Sequence, residues 1–396
     1  MRRFRIGSIL GIPIQVDLTF LLVLPLFAYL IGSQVEPTAA FLNALWDAGI
    51  ETEAVSAGAT PWLLGTVAAL GLFAGVVLHE LGHSVVALQF GYVIESITLW
   101  ILGGIASFTE MPERWRQELL VAVAGPLVSV LLGIGCYVGF RSLPESFYAG
   151  RFVLGYLALL NVGLAAFNLL PGFPMDGGRV LRALLARTRT YRRATELAAT
   201  VGKGVALLLG LLGLVSFNVI LIGVAFFIYI GASSEVRQQL VKATFEGVTV
   251  REIMTPAAEL DTVAPGTTVA DLLERMFRQR HVGYPVVEDG DVVGMVTLSD
   301  VSDVSPVERG VVTVGEVMET DLKTVPADAD VLDALSELQR NGIGRVLVTD
   351  EGGGLVGVLT RTDLMRAFTI ISRSADTDEG DAPLATGTPS SVPLRK

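Results

Sequence analysis

Hydrophobic and polar positions divide the chain near residue 245. Before that point apolar residues run in blocks long enough for a bilayer, where a crossing helix needs about 20 mainly apolar residues. Such blocks lie at roughly 14–32, 61–86, 119–140 and 152–170. Two further stretches, 204–215 with residues upstream and 217–231, meet at Val215-Ser216-Phe217-Asn218. They read as one tilted helix or as two short ones hinged there. Between the second and third blocks, Gly91–Glu110 is rich in β-formers, is broken by Gly103-Gly104 and is too short to span as a helix. This predicts a hairpin or re-entrant strand. Such backbone persists at membrane depth only where it is buried in protein or lines a wet cavity.

After Gly247 the pattern switches to short strands and helices joined by acidic turns, and it repeats at an offset of 63–64 residues. Val250-Arg-Glu-Ile-Met254 matches Val314-Gly-Glu-Val-Met318, and Gly294-Met-Val-Thr-Leu-Ser-Asp300 matches Gly357-Val-Leu-Thr-Arg-Thr-Asp363. The expected segments are a membrane domain over 1–235, a linker over 236–247, repeats over 248–305 and 306–370, and a tail over 371–396. The tail is rich in Ser, Thr, Pro, Asp and Gly, with little to bury, and is expected to be disordered.

Composition sharpens this division. Of 396 residues 51% are hydrophobic and only 17% charged, against about 25% charged in soluble proteins. Residues 1–245 carry 16 basic against 14 acidic side chains, and residues 246–396 carry 13 against 26. An acidic chain with pI near 4.9 and no lysine-rich stretch argues against a nucleic-acid partner. The single Cys136 excludes a disulfide framework and a CxxC site. The start, Met1-Arg2-Arg3-Phe4-Arg5, resembles a secretory signal, but Asp17 interrupts the apolar run and no small-residue cleavage site follows closely. A retained first span is expected.

Arginines then orient the spans. Arg2, Arg3 and Arg5 favour a cytoplasmic start, and residues 33–60 hold four acids and no Lys or Arg, as an outside loop does. Arg114 and Arg116 follow the second span, and Arg179, Arg182, Arg187, Arg189, Arg192 and Arg193 follow the fourth. Six spans put all of these and the acidic repeats on the cytoplasmic side; five would export the repeats. The expectation is a multi-pass protein of the cell membrane, in contact with the lipid bilayer, with both termini cytoplasmic.

Val76-Val-Leu-His79-Glu80-Leu-Gly-His83 places HExxH inside the second apolar block. Residues four apart share a helix face, so the two imidazoles can grip one Zn²⁺ while Glu80 lies beside it as general base. Imidazoles and carboxylates in a span are costly to insert and are usually functional. Two histidines leave a catalytic zinc one protein ligand short. Asp176, in Phe167-Asn168-Leu-Leu-Pro171-Gly-Phe-Pro174-Met-Asp176-Gly177-Gly178, is the obvious carboxylate. It reads equally as the N-cap of a helix starting near Gly177; the missing ligand tips the choice toward zinc.

HExxH in a span, followed by Asn-x2-Pro-x2-Pro-x-Asp-Gly, resembles the site-2 protease family of intramembrane zinc metalloproteases. Gly11-Ile-Pro-Ile-Gln-Val-Asp17 is also similar to the entry to that family's first span, and the resemblance covers roughly residues 5–235. It implies His79, His83 and Asp176 as zinc ligands and Glu80 as general base and acid. It further implies that Asn168 helps position the substrate peptide, and that the Gly103-Gly104 region is a strand receiving a membrane-protein substrate in extended form. The repeats resemble a tandem pair of CBS domains. That resemblance implies contacts from Thr297, Asp300, Thr360 and Asp363 to the phosphate and ribose of an adenine nucleotide, and a homodimer through the pair. The two aspartates read alternatively as caps of the helices that follow them.

The fold class expected is therefore an α-helical polytopic membrane domain of six transmembrane helices with a small re-entrant β element, followed by soluble α/β tandem CBS domains. The function expected is zinc-dependent cleavage of membrane proteins; a CBS-gated transporter or channel is the alternative. A transporter would more commonly show repeated membrane halves with matching broken helices, and neither is seen in the sequence.

Overall fold

The structure is a computed structural model and describes residues 3–100, 103–108 and 114–380. It separates into two compact units, Met1–Gln239 and Leu240–Lys396.

The first unit opens with a hairpin, β1 (Arg3–Ile9) and β2 (Ile12–Asp17), turned at Leu10-Gly11, both in the left-handed region. Here the structure corrects the first expected span. Residues 12–17 alternate, with Ile12, Ile14 and Val16 buried, so they form a half-buried strand rather than the start of a helix. Asp17 then accepts hydrogen bonds from the amide and hydroxyl of Thr19, immediately before α1 (Phe20–Ser33). A bend of 62° separates α1 from α2 (Val35–Trp46), and only the pair together is long enough to be a span. The acidic 33–60 stretch is thus largely helical, in α2 and α3 (Thr52–Ser56).

Next come α4 (Thr60–Gln89), β3 (Ile94–Trp100), β4 (Gly103–Phe108), α5 (Trp115–Ser142), α6 (Tyr148–Asn168), α7 (Asp176–Ala186), α8 (Tyr191–Val215) and α9 (Val219–Phe245). Five helices, α4, α5, α6, α8 and α9, are long and apolar enough to cross a membrane, or six spans if the bent pair is one. The break at Ser216–Asn218 makes α8 and α9 two spans rather than one tilted helix. Their exposed side chains are apolar, for example Leu207, Leu208, Leu211 and Ile220, the reverse of a helix solvated by water. Residues 236–245, expected as linker, continue α9 as helix.

The expected hairpin is β3 and β4, paired antiparallel from Trp100↔Gly103 to Ile94↔Phe108; Ile101 and Leu102 lie outside the described residues. It joins the N-terminal hairpin through a parallel β2–β3 pairing, Ile14↔Ile97, in a sheet ordered β1-β2-β3-β4. Ile12, Ile14 and Ile97 pack on Leu81 and Ala87 of α4, which fixes the sheet against the helix bearing HExxH. β4 is an edge of this sheet.

The second unit contains α10 (Val250–Ile253), β5 (Thr255–Pro256), a 3₁₀ turn (Ala257–Glu259), α11 (Val269–Gln279), β6 (Gly283–Glu288), β7 (Asp291–Thr297) and α12 (Leu298–Ser302). The second repeat follows with α13 (Val314–Val317), β8 (Thr324–Pro326), α14 (Val331–Arg340), β9 (Arg345–Thr349), β10 (Leu355–Thr360) and α15 (Arg361–Gly380). Each repeat has its own core, around Tyr284 and Leu272 in one and Leu338 and Leu359 in the other. They exchange entry segments: Thr255-Pro256 pairs with β10, and Glu319 bridges Met295 of β7. Met295, Leu347 and Val358 form a shared apolar seam. Neither repeat completes its sheet alone. The tail also departs from expectation, since α15 carries the chain as helix to Gly380. Leu364, Ala367, Phe368 and Ile371 continue an apolar stripe onto the core, which overrides the polar composition beyond. The rest of the expected disordered tail, residues 381–396, lies outside the described residues.

Candidate metal centre

Three elements build the site. The 30-residue α4 places His79 and His83 four residues apart on one face. α5 crosses that face closely because both helices carry glycine there. A Cβ on Gly82 would lie 2.9 Å from the Ala124 carbonyl oxygen, and one on Gly125 would lie 2.2 Å from His83 Nε2. The third element is α7. Gly177 and Gly178 sit directly on the backbone of Leu169, Leu170 and Gly172, leaving no room for side chains, so the chain turns tightly back after α6. Asp176, the first residue of α7, is thereby brought to α4. Met175 is the N-cap, and no side-chain capping bond is made. The two readings of Asp176 in the sequence are thus separated: its carboxylate meets the histidines.

Asp176 Oδ2 lies 3.2 Å from His79 Nε2 and 3.1 Å from His83 Nε2, and the two Nε2 atoms are 3.2 Å apart. All three residues are buried. His83 Nδ1 donates to the Val121 carbonyl at 2.7 Å, and His79 Nδ1 lies 2.8 Å from Ser129 Oγ. A neutral imidazole that donates from Nδ1 turns a lone pair outward at Nε2. Two lone pairs and a carboxylate oxygen therefore face one another. Three electron-rich donors converging out of water suit a cation. Tetrahedral zinc, with bonds of about 2.0–2.1 Å, would separate its ligand atoms by about 3.3 Å, matching the observed spacing. The donor set fits the metal.

Sequence reasoning did not find Ser129, Val121 or Gly125, because nothing in an apolar helix marks which small residue will face a histidine. Ser129 is fully buried. A Ser129→Ala variant is expected to bind zinc about 10- to 100-fold more weakly, as loss of a ligand's hydrogen-bond partner commonly does. Competition against a chelator of known affinity measures it.

A cleft of about 470 Å³ opens beside the triad, lined among others by Glu80, Trp100, Gly104, Asn168, Arg179 and Glu235. Gly104 of β4 passes so near α4 that a Cβ there would lie 2.7 Å from Glu80 Cγ. Gly103, with φ +131°, begins the same strand but is not part of the lining. Asn168, the last residue of α6, lines the cleft. One wall is tied by Arg182 of α7, which bridges Glu118 of α5 at 2.6 Å and Glu235 of α9 at 2.5 Å. The Arg182 guanidinium lies between the rings of Phe173 and Tyr191, 4.9 and 4.8 Å from their centroids.

In the second unit, Thr297 and Asp300 line a separate cleft of about 590 Å³, with Lys323 and Arg345. Asp300 accepts from the Thr297 amide and hydroxyl at 2.7 and 2.8 Å, and the box formed by Thr360 and Asp363 repeats this at 3.0 and 2.6 Å. The aspartates sit in the first turn of α12 and α15 and close capping boxes with Thr297 and Thr360, rather than capping helices that follow them, and the first pair also faces a cavity. Thr360 and Asp363 are not part of that cavity.

A buried two-histidine, one-carboxylate donor set with a glutamate at its side, at a helix face among membrane-length helices, defines a metallohydrolase. Comparison with known proteins agrees. The family model for peptidase family M50 matches residues 67–150 and 148–211, and the CBS domain model matches 250–306 and 314–370. A solved structure, the site-2 protease from Methanocaldococcus jannaschii, aligns at 36% identity over 59% of this chain and 95% of that one, with TM-score 0.40. The chain is 36% identical over 367 residues to a zinc metalloprotease of Methanocaldococcus jannaschii, covering 93% of this chain and 96% of the relative. It is 32% identical over 385 residues to Rip3 of Mycobacterium tuberculosis, covering 92% of each. The chain belongs to peptidase family M50, the site-2 proteases, and is a multi-pass zinc metalloprotease with a C-terminal CBS pair. This decides against the transporter alternative.

Proposed function

We propose that the chain is an intramembrane endopeptidase that cuts substrate proteins within or beside their transmembrane segments. The observation that carries this reading is the buried His79–His83–Asp176 triad, with Glu80 beside it and the edge strand β4 running past. His79, His83 and Asp176 hold the zinc, which when bound polarises the scissile carbonyl and makes water more acidic. Glu80 takes a proton from the attacking water and returns it to the leaving amine. A helical substrate hides its peptide carbonyls; pairing with the β4 edge near Gly103 and Gly104 would expose them. Asn168 then donates to the substrate backbone.

Both termini and the CBS pair lie in the cytoplasm, and the protein acts in the cell membrane as a homodimer through that pair. Reconstituted with single-span membrane proteins, it should release fragments whose new ends map inside or next to the span. Chelation should stop this and zinc should restore it. Fragments ending only in distant soluble loops would sink the proposal.

The CBS cleft is proposed to take an adenine nucleotide that regulates cleavage. Asp300 offers a carboxylate to the ribose hydroxyls, and Lys323 and Arg345 face the phosphate. Asp300→Ala should weaken AMP or ATP binding about 10-fold or more, the scale of one hydrogen bond to a charged group. Calorimetric titration of the full chain checks this. Binding of neither nucleotide to the unaltered chain would overturn it.

A further inference from the structure

Arg179 lies one turn beyond Asp176 on α7, is partly buried and lines the cleft beside the metal triad. Of the carboxylates around that cleft, Asp176 meets both histidines, and Glu235 and Glu118 are bridged to Arg182. Glu80 also lines it and makes no ion pair with Arg179, which leaves it as the proton carrier of the proposed reaction. Among the described residues, no carboxylate is paired with Arg179. A guanidinium without a carboxylate partner, within the cavity where a peptide bond is broken, is poised for negative charge that arises only during the reaction.

The reaction creates such charge. As the water oxygen bonds to the carbonyl carbon, the carbonyl π pair moves onto oxygen. One water proton passes to Glu80 and then to the amide nitrogen, the C–N bond breaks and C=O re-forms. The products are a carboxylic acid, which keeps the second water proton, and an amine; transfer of that proton to the amine leaves a carboxylate and an ammonium. Preorganised cations directed at the developing oxyanion commonly supply a large part of catalysis. We propose that Arg179 is a catalytic residue that donates hydrogen bonds to the scissile carbonyl oxygen as it becomes negative, and afterwards to the product carboxylate. This rests on the proteolytic reading of the cleft given above. Arg179 acts from α7, the same helix that presents Asp176, so its position is set with the metal ligand rather than by a separate loop.

The test uses the full chain in detergent micelles, loaded with Co²⁺, whose visible absorption reports on its ligands. Two probes of one blocked apolar peptide sequence are titrated. In one, a phosphonate replaces the scissile amide and carries the charge of the reacting centre; the other is a hydroxamate, which chelates the metal. In Arg179→Gln the phosphonate Kd should rise about 10- to 100-fold, the range for a hydrogen bond to a charged group. Arg179→Lys should recover part of that loss. Hydroxamate affinity and cobalt content should be unchanged in both variants, which a merely structural arginine would not preserve. Equal loss of both probes, loss of cobalt in the variants, or no phosphonate binding by the unaltered chain overturns the role of Arg179. An unaltered chain that takes up no cobalt overturns the metal-site reading itself, and this inference with it.

Discussion

Glu80→Gln should retain one zinc per chain and lose cleavage by about 10²- to 10⁴-fold, the usual contribution of a positioned proton carrier. The separation of binding from chemistry follows from geometry. The three converging donors come from His79, His83 and Asp176, and Glu80 is not among them. Glutamine has the same shape and can occupy the same space beside Gly104, but its amide does not carry a proton from water to the leaving nitrogen. Metal analysis of purified protein measures the first half of this expectation. Comparing membrane-protein fragments from cells carrying either chain measures the second. Loss of zinc in the glutamine variant would make Glu80 a ligand, and cleavage at the unaltered rate would remove it from the mechanism.

Gly125→Ala is expected to abolish the metal site while changing a single hydrogen to a methyl group. The added carbon would lie 2.2 Å from His83 Nε2, 2.6 Å from Cε1 and 2.7 Å from Cδ2, all inside contact distance. His83 cannot turn aside without losing its bond from Nδ1 to Val121. α5 can retreat only by giving up the close packing of α4 and α5 where Gly82 meets the Ala124 backbone. Zinc affinity should fall by at least the ~10- to 100-fold that loss of an outer partner causes. Gly135→Ala, on the same helix with nothing within 4 Å of the new carbon, is the control. Alanine improves helix propensity by up to about 1 kcal/mol, so that control should be neutral or stabilised and should keep its zinc. Equal metal content in the two alanine variants would show that α5 yields where the packing says it cannot.

The order of membrane-length blocks, the hairpin between the second and third, the α/β repeats after residue 247 and HExxH were all legible in the sequence. Each is a local pattern: hydrophobic length, alternation around glycines, an offset match, or two histidines one helical turn apart. Asp176 was legible by chemistry, since two imidazoles leave a catalytic zinc short of a ligand. Local patterns misled in two places. Residues 14–17 looked like the start of a span because apolar content outweighed their alternation. The tail looked unstructured from 371 because its polar composition masked a stripe that extends through Ile371.

By itself, then, the sequence determined the two-part organisation and picked out the three side chains that converge at the candidate metal site. These depend on residue type and short spacing, which backbone periodicity converts directly into shared faces. Only the tertiary structure decided that Asp176 turns to α4 rather than capping its own helix, and that Ser129 and Val121 orient the imidazoles. It likewise decided that Gly125 leaves the space His83 needs, that β4 runs past Glu80, and that Arg182 engages Glu118 and Glu235 while Arg179 lines the cleft. Those relations join residues tens of positions apart. They are set by how closely helices can pack, which depends on where small residues meet across an interface and not on any pattern within one segment.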